Sequence, residues 1–484
     1  MLGPTQTSNP KLFHYGINLE KRVRATNPLR QIKENLDFSF IRPAVAGFYG
    51  QSGNESEDPI VIMKLMLLLF MDDVASEREL MRIVGERLDY LWFLEMDLED
   101  EIPDHSVLSK ARKRWGKTVF EDLFVQVVRA CVEAGLVAGD KIHMDGSLIA
   151  ANASMKSLQS GCPELIEQLR AVYRREEAKL EGPDPADDGA IASSERSHRT
   201  VSKTDPDAVL MRKSSEAARP RYKNHRSVDD QYGVITALET TAADVNENEK
   251  LLDLVHQHET NTGEKVETVV ADAQYGTNDN FAACQQRGVR SHMADLRATY
   301  KNDAPTRGIF HETDFHYDAE TDTYVCPADQ RLKRSRKPNG NTYLYRGNKK
   351  TCGECALRKQ CMRSKYWRTI RRHVHHELVQ QGRQQSQSGW AKRDRQRRKH
   401  LMEGSFADAT HHGFKRARWR RLHNQQIQDY LIAVCQNIRI LMRCDRSRNA
   451  ASMVIAMSAR IPSSELVVDP EISPFGDSTR LTPK

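Results

Sequence analysis

The spacing of apolar residues changes character near residue 141, and this change limits the folds open to the chain. Before it the spacing is helical. Ser76-Glu77-Arg78-Glu79 has the pattern of a capping box and is followed by Leu80, Ile83, Val84, Leu88 and Leu91. Thr118-Val119-Phe120-Glu121 repeats the pattern ahead of Leu123, Phe124, Val127, Val128, Cys131 and Val132, with Gly135 as the stop. After residue 141 the apolar runs shorten to Lys141–Asp145, Gly233–Thr240 and Val266–Asp272, each bounded by polar turns, and they predict strands alternating with helices. A length of 484 residues exceeds the usual size of one hydrophobic core and implies two or three packed units.

Between the first two strands lies a helix-like run, Glu164–Leu180, followed to about Ser215 by a stretch rich in Pro, Asp, Ser and Lys that reads as a flexible insertion. Thr323–Pro327 and Thr342–Arg346 are further strand candidates beside a basic region. Helix resumes around Lys392, and in Leu422–Met442 the residues Ile427, Leu431, Val434, Ile438 and Leu441 share one face. The polar tail after Arg446 has no period and reads as disordered.

No membrane span is expected: the longest apolar run, Ile60–Met71, contains Lys64 and falls well short of the roughly 20 residues needed. The first residues lack a basic segment followed by an apolar core, so a cytoplasmic, nucleoid-associated location is expected. The net charge of +7 is modest, but it is unevenly spread. Residues 331–373 hold fifteen Lys or Arg against one acid, Glu354, and residues 391–421 hold eleven against three. Such blocks suit phosphate contacts. Near the front, Pro103-Asp104-His105-Ser106 opens a helix carrying Lys110, Arg112, Lys113 and Arg114, and the helix pair reads as a helix-turn-helix or as an ordinary solvated charged face.

Two aspartates close predicted strands. Asp145 ends Ile142-His143-Met144 before Gly146, and Asp272 ends Val269-Val270-Ala271 before a turn into helix. Such residues are either turn formers or ligands at the carboxyl end of a sheet, where hard cations such as magnesium take carboxylate oxygens. Four cysteines, Cys326, Cys352, Cys355 and Cys361, are spaced C-x25-C-x2-C-x5-C and read as a tetrahedral zinc site or as four reduced thiols.

The stretches Lys141–Leu158, Tyr222–Ala237 and Thr268–Gly276 resemble the catalytic domain of DDE transposases from bacterial insertion sequences. The likeness continues in Leu401–Asp408, Lys415-Arg416-Ala417-Arg418 and Cys435-Gln436-Asn437, and reaches back to Leu36–Phe40 and Pro103–Ser106. It implies an α/β, ribonuclease H-like mixed sheet with flanking helices, preceded by an all-α domain and interrupted by insertions. It also implies a magnesium- or manganese-dependent endonuclease and strand transferase that acts on the ends of its element and on target double-stranded DNA, as a homodimer in synapsis. By position, Asp145, Asp272 and Glu403 become the catalytic, metal-holding acids, with Glu377 and Asp408 as competitors for the third place. Arg397, Arg398, Lys415, Arg416 and Arg418 would grip DNA phosphates around it. Gly404, costing its helix roughly 1 kcal/mol, suggests a close approach of DNA or sheet. The cysteines match those of an insertion ahead of the Glu helix in similar transposases.

The expected organisation is an arm (1–27), a helical DNA-recognition domain (28–138), and the first part of the core (139–300) with a flexible insertion at 160–218. A basic, cysteine-containing insertion (301–390), the C-terminal core helices (391–445) and a disordered tail (446–484) complete it. The rival expectation is a catalytically inactive repressor derived from a transposase. A nuclease relative that cuts but never joins would carry the same acids.

Overall fold

The computed structural model describes residues 18–50, 55–161, 168, 171–172, 199–213, 216–296, 308–363 and 366–458. The expected N-terminal arm up to residue 17 and most of the Glu164–Leu180 run lie outside them. Met1–Leu441 is one compact unit and holds every site discussed below; Met442–Lys484 is a second.

The front of the chain is helical, as its periodicity predicts: α1 (Leu19–Arg22), α2 (Pro28–Asn35), α3 (Ile41–Ala46), α4 (Pro59–Met71), α5 (Glu77–Val84), α6 (Leu88–Leu94), α7 (Ser106–Trp115) and α8 (Thr118–Glu133). The apolar run forms α4, which is buried from Val61 to Phe70, so it shows no stripe. Its Lys64 reaches Glu95 Oε1 at 3.3 Å and lies against the rings of Phe38 and Phe93. The Ser76 side chain caps α5 by accepting from the Glu79 amide at 3.2 Å, but the period that reads as one helix is two, broken at Gly85. Thr118 is the first residue of α8 rather than its cap. Among the described residues no helix is long and apolar enough to cross a membrane.

The central sheet is built on β1 (Lys141–Ala150), flanked by β5 (Arg219–Asp229) antiparallel and β7 (Thr268–Ala271) parallel. β6 (Ile235–Ala242) pairs antiparallel beyond β5, and β8 (Arg290–Met293) parallel beyond β7. The order β6-β5-β1-β7-β8, with three antiparallel strands followed by two parallel ones, is the ribonuclease H-like mixed sheet that the resemblance implies. Beside the start of β5 the sheet is extended by β4 (Val209–Met211), β3 (Arg199–Ser202) and β2 (Leu158–Gly161). Two of these strands therefore form within the stretch expected to be flexible. Its acids are what order it: Asp205 accepts from the Tyr222 hydroxyl at 2.5 Å and the Arg421 amide at 3.2 Å, and Asp207 accepts from the Leu422 amide at 3.2 Å. These amides lie at the start of the last long helix, where donors have no intrahelical partner.

One face of the sheet packs against α9 (Leu251–Thr262), α10 (Asn278–Gln286) and α13 (His376–Gln387), which follows the short helices α11 (Lys349–Gly353) and α12 (Arg358–Cys361). Ile142, Met144, Val269 and Ala271 meet Leu254, Val255, Phe281 and Val379 there. Side chains alternate along a strand, so His143 and Asp145 project to the other face, as does Arg226, opposite Asp145 on β5. That face is met by α14 (Gly389–Thr410) and α15 (Leu422–Ser458). Arg226 is fully buried between the rings of Phe406 and Phe414 and donates to Asn224, Ser405 and Gln436. Asn437 clasps both backbone groups of Ile235, at 2.9 and 2.8 Å. α15 stays helical to Ser458, so the expected disorder does not begin at 446; residues 459–484 lie outside the described set.

The basic insertion is a five-stranded antiparallel sheet, β9 (His316–Asp318), β10 (Thr323–Val325), β11 (Arg331–Arg334), β12 (Thr342–Arg346) and β13 (Thr369–His373). It has its own small core of Phe315, Tyr324, Leu332, Tyr345 and Ile370. Asp322 accepts from the hydroxyls of Tyr317 and Tyr345, which ties β9 and β12 to the turn before β10.

Candidate metal centre and nucleic-acid face

Parallel pairing of β1 with β7 ends at His143 and Val270. Continuing the register by two residues brings Asp145 beside Asp272, just past the end of β7. Asp145 does not close β1, as its sequence context suggests, because the strand runs on to Ala150 against β5. The opening is made by β7 stopping. Asp272 uses Oδ1 to accept from the Gln274 amide at 2.8 Å, capping a short 3-10 helix, Ala273–Tyr275. The turn-former and ligand readings are thus compatible, since the second oxygen is left over.

A third carboxylate joins the pair. Ligand oxygens of Asp145, Glu247 and Asp272 all lie within 4.8 Å of one another, and among the described residues these acids form the one such group of His, Cys, Asp or Glu. Burial pushes the Glu247 carboxyl up to about 7, helped by the charges of Asp272 and Asp145 and opposed by Lys223. Burial likewise raises Asp145, against the pull of Arg398, whose Nη1 donates to its Oδ2 at 2.7 Å. The cluster is therefore a place where positive charge is favoured. No sequence motif marks Glu247, an acid in the turn before α9 whose place opposite Gly146 is visible only in the fold.

Glu403 does not enter this group. It is exposed on α14, whose buried positions include Ala391, Asp394, Met402, Phe406 and Ala409. At about 100° per residue, Glu403 is turned roughly 140° from Arg398, the residue of this helix that reaches Asp145. Of its competitors, Glu377 is paired with Arg372 and Asp408 with Arg439. A side chain at Gly404 would meet nothing within 4 Å, so the sheet does not require that glycine.

The basic residues separate into locked and presented ones. Arg112 is buried, paired with Glu77, with its guanidinium 3.7 Å from the Trp419 ring, because α7 packs through Leu108, Ala111, Arg112 and Trp115. It is a structural residue rather than a phosphate contact. Lys110 and Arg114 are exposed, Lys113 is half-buried, and Arg114 stacks on Tyr49. In the late block Arg398 is engaged with Asp145, Arg418 with Asp73 at 2.6 Å and Arg397 with Asp230 at 2.6 Å. Lys415 and Arg416 are exposed where the chain bonds the end of β1, through Ala150 to Lys415 O and Ala417 to Ala150 O.

Cys326, Cys352, Cys355 and Cys361 border one cavity of about 60 Å³ in the basic insertion, although no three of the sulfurs come within 4.8 Å of one another. The Gln330 amide points at Cys326 Sγ, at 3.3 Å. Gly347 leaves room for Cys352, whose sulfur would lie 2.6 Å from a Cβ there. All four cysteines are free thiols.

Comparison with known families gives two matches: a transposase domain, DUF772, over residues 17–114, and a transposase DDE domain over residues 325–442. Among solved structures, the cryo-EM structure of a piggyBac transposase synaptic complex with hairpin DNA is similar, with a TM-score of 0.37 and 8% identity over 93% of this chain and 87% of that one. No curated protein matches. The two matched segments flank the strands that bring Asp145 and Asp272 together, and both match transposase families, the second of them a DDE family.

Proposed function

We propose that this chain is a DDE transposase that binds the ends of its insertion sequence and cuts and joins DNA by metal-assisted phosphodiester chemistry. The observation that carries the reading is the convergence of Asp145 and Asp272 oxygens within 4.8 Å at the edge of the sheet, a spacing suited to cations roughly 3.5 to 4 Å apart. Magnesium or manganese bound there would supply Lewis-acid charge at the scissile phosphate. Asp145 and Asp272 hold the site, and the exposed Lys415 and Arg416 steady the DNA backbone beside it. Water attacks the phosphodiester at the element's end and releases a 3′-hydroxyl. That hydroxyl then attacks target DNA, forming one phosphodiester as another breaks. Synapsis of two ends calls for a homodimer, acting in the cytoplasm on the nucleoid. Lys110, Lys113 and Arg114 on α7 serve end recognition.

Zinc in the basic insertion belongs to the same reading. Four thiols around one cavity, an amide directed at one sulfur and a glycine that admits another support it. Tetrahedral Zn–S bonds of about 2.3 Å would draw the sulfurs inward. Elemental analysis of freshly purified, unchelated protein should find one zinc per chain; its absence would leave ordinary reduced thiols.

The deciding experiment incubates the purified chain and magnesium with supercoiled DNA carrying the element's own ends. Cleavage at the ends followed by joining to target is expected. End binding without cleavage would support the inactive repressor instead, and cleavage without joining a nuclease.

A further inference from the structure

The resemblance puts the third acid on α14, whereas the structure puts a different carboxylate beside the first two. Glu247 opens a short 3-10 helix, Glu247–Lys250, between β6 and α9. It comes in from the face opposite Arg398. Room for it exists because residue 146 has no side chain: a Cβ on Gly146 would stand 2.9 Å from both Glu247 Cδ and Oε1. Nearby cations do not account for its position. Lys223 Nζ is 3.8 Å from Glu247 Oε1 and spends its shorter bond, 2.9 Å, on the Val245 carbonyl, while Arg398 is committed to Asp145.

A second observation points to a ligand. Tyr275 is 0% exposed, yet its hydroxyl has no hydrogen-bond partner, although it lies within electrostatic reach of Glu247, Asp145 and Asp272. A buried hydroxyl left unpaired is costly. Its orphan state beside three carboxylates is explained if the group normally contains something more. Hydrated divalent cations keep several waters, and a phenol can both donate to and accept from water.

We propose that Glu247 is the third carboxylate of the divalent-cation site in the DNA-free chain, and that the Tyr275 hydroxyl is a positioning group for the water held there. The proposal rests on the reading of Asp145 and Asp272 as a metal centre.

The test uses Mn2+ alone, titrated into the purified full-length chain without DNA, with free Mn2+ followed by electron paramagnetic resonance. Glu247→Gln should weaken binding about tenfold or more, and Tyr275→Phe by a smaller factor, on the scale of ligand-supporting groups. Gly146→Ala keeps every carboxylate but displaces Glu247, and should weaken binding in the same direction. Glu403→Gln should bind as the unaltered chain does. Thermal unfolding without metal checks that each variant is folded. If Asp145→Asn loses Mn2+ while Glu247→Gln binds normally, or if Glu403→Gln weakens binding in its place, the Glu247 assignment is overturned and the metal-centre reading stands. If the unaltered chain binds no Mn2+, or binds it no better than Asp145→Asn, both are overturned.

Discussion

Arg398 Nη1 lies 2.7 Å from Asp145 Oδ2, so a cation supplied by α14 already sits against the first acid of the candidate metal centre. Burial raises the Asp145 carboxyl and Arg398 holds it down. Removing the guanidinium in Arg398→Ala lets that carboxyl rise further, so protons compete with metal up to a higher pH. The acid limb of Mn2+ binding should therefore move to higher pH in this variant, and Arg398→Lys should restore part of the shift. An unchanged limb would mean that the pair has no influence on the site.

Glu247 gives a stability signature. Its carboxyl is raised from 4.5 to about 7 in the fold, chiefly by burial. The folded chain then binds more protons than the unfolded chain across that window, and the stability associated with this group is lost as pH rises through about 7. Without metal, Glu247→Gln should gain thermal stability relative to the unaltered chain between pH 5 and pH 8 (roughly the window set by that shift). A difference in melting temperature that stays flat with pH would remove the buried charge from the account.

Arg226 should prove structural. It is enclosed by Phe406 and Phe414, bonded to Asn224, Ser405 and Gln436, and close to buried Asp429. Arg226→Ala strips a buried negative group of its counter-charge, a change that costs about 3 kcal/mol or more. Urea unfolding would measure it. A loss below about 1 kcal/mol, the scale of one ordinary hydrogen bond, would contradict the network.

The front of the chain separates two kinds of arginine. Replacing exposed Lys110 and Arg114 with alanine should weaken DNA binding and flatten its log-log salt slope by about 0.9 for each phosphate no longer neutralised. Arg112→Ala should instead lower stability, because its guanidinium is held between Glu77 and Trp419. Gel-shift titrations across salt, paired with unfolding curves, distinguish the two effects. Equal loss of affinity without loss of stability in Arg112→Ala would reverse the assignment.

The strand edges that build the site were legible because Val269-Val270-Ala271 and Ile142-His143-Met144 are short apolar runs with an acid behind them. Their adjacency was not, since parallel pairing across more than 120 residues leaves no local mark. The Asp205 and Asp207 stretch looked flexible because its apolar spacing has no period, and its order comes from capping a helix more than 200 residues away. Motif position points to Glu403, whereas the phase of α14 turns Arg398 and Met402 toward the sheet in its place. Glu247 and Tyr275 matter through burial and a missing partner, neither of which is written in local sequence.

The central claim is that Asp145 and Asp272 hold the metal for DNA cleavage, and single-turnover cleavage of a duplex carrying the element's end tests it most directly. With magnesium, the unaltered chain should nick at the element boundary, while Asp145→Asn and Asp272→Asn should lose cleavage by three orders of magnitude or more (roughly 4 kcal/mol of barrier) and still shift the same duplex in a gel. Cleavage by either variant at the rate of the unaltered chain would contradict the claim.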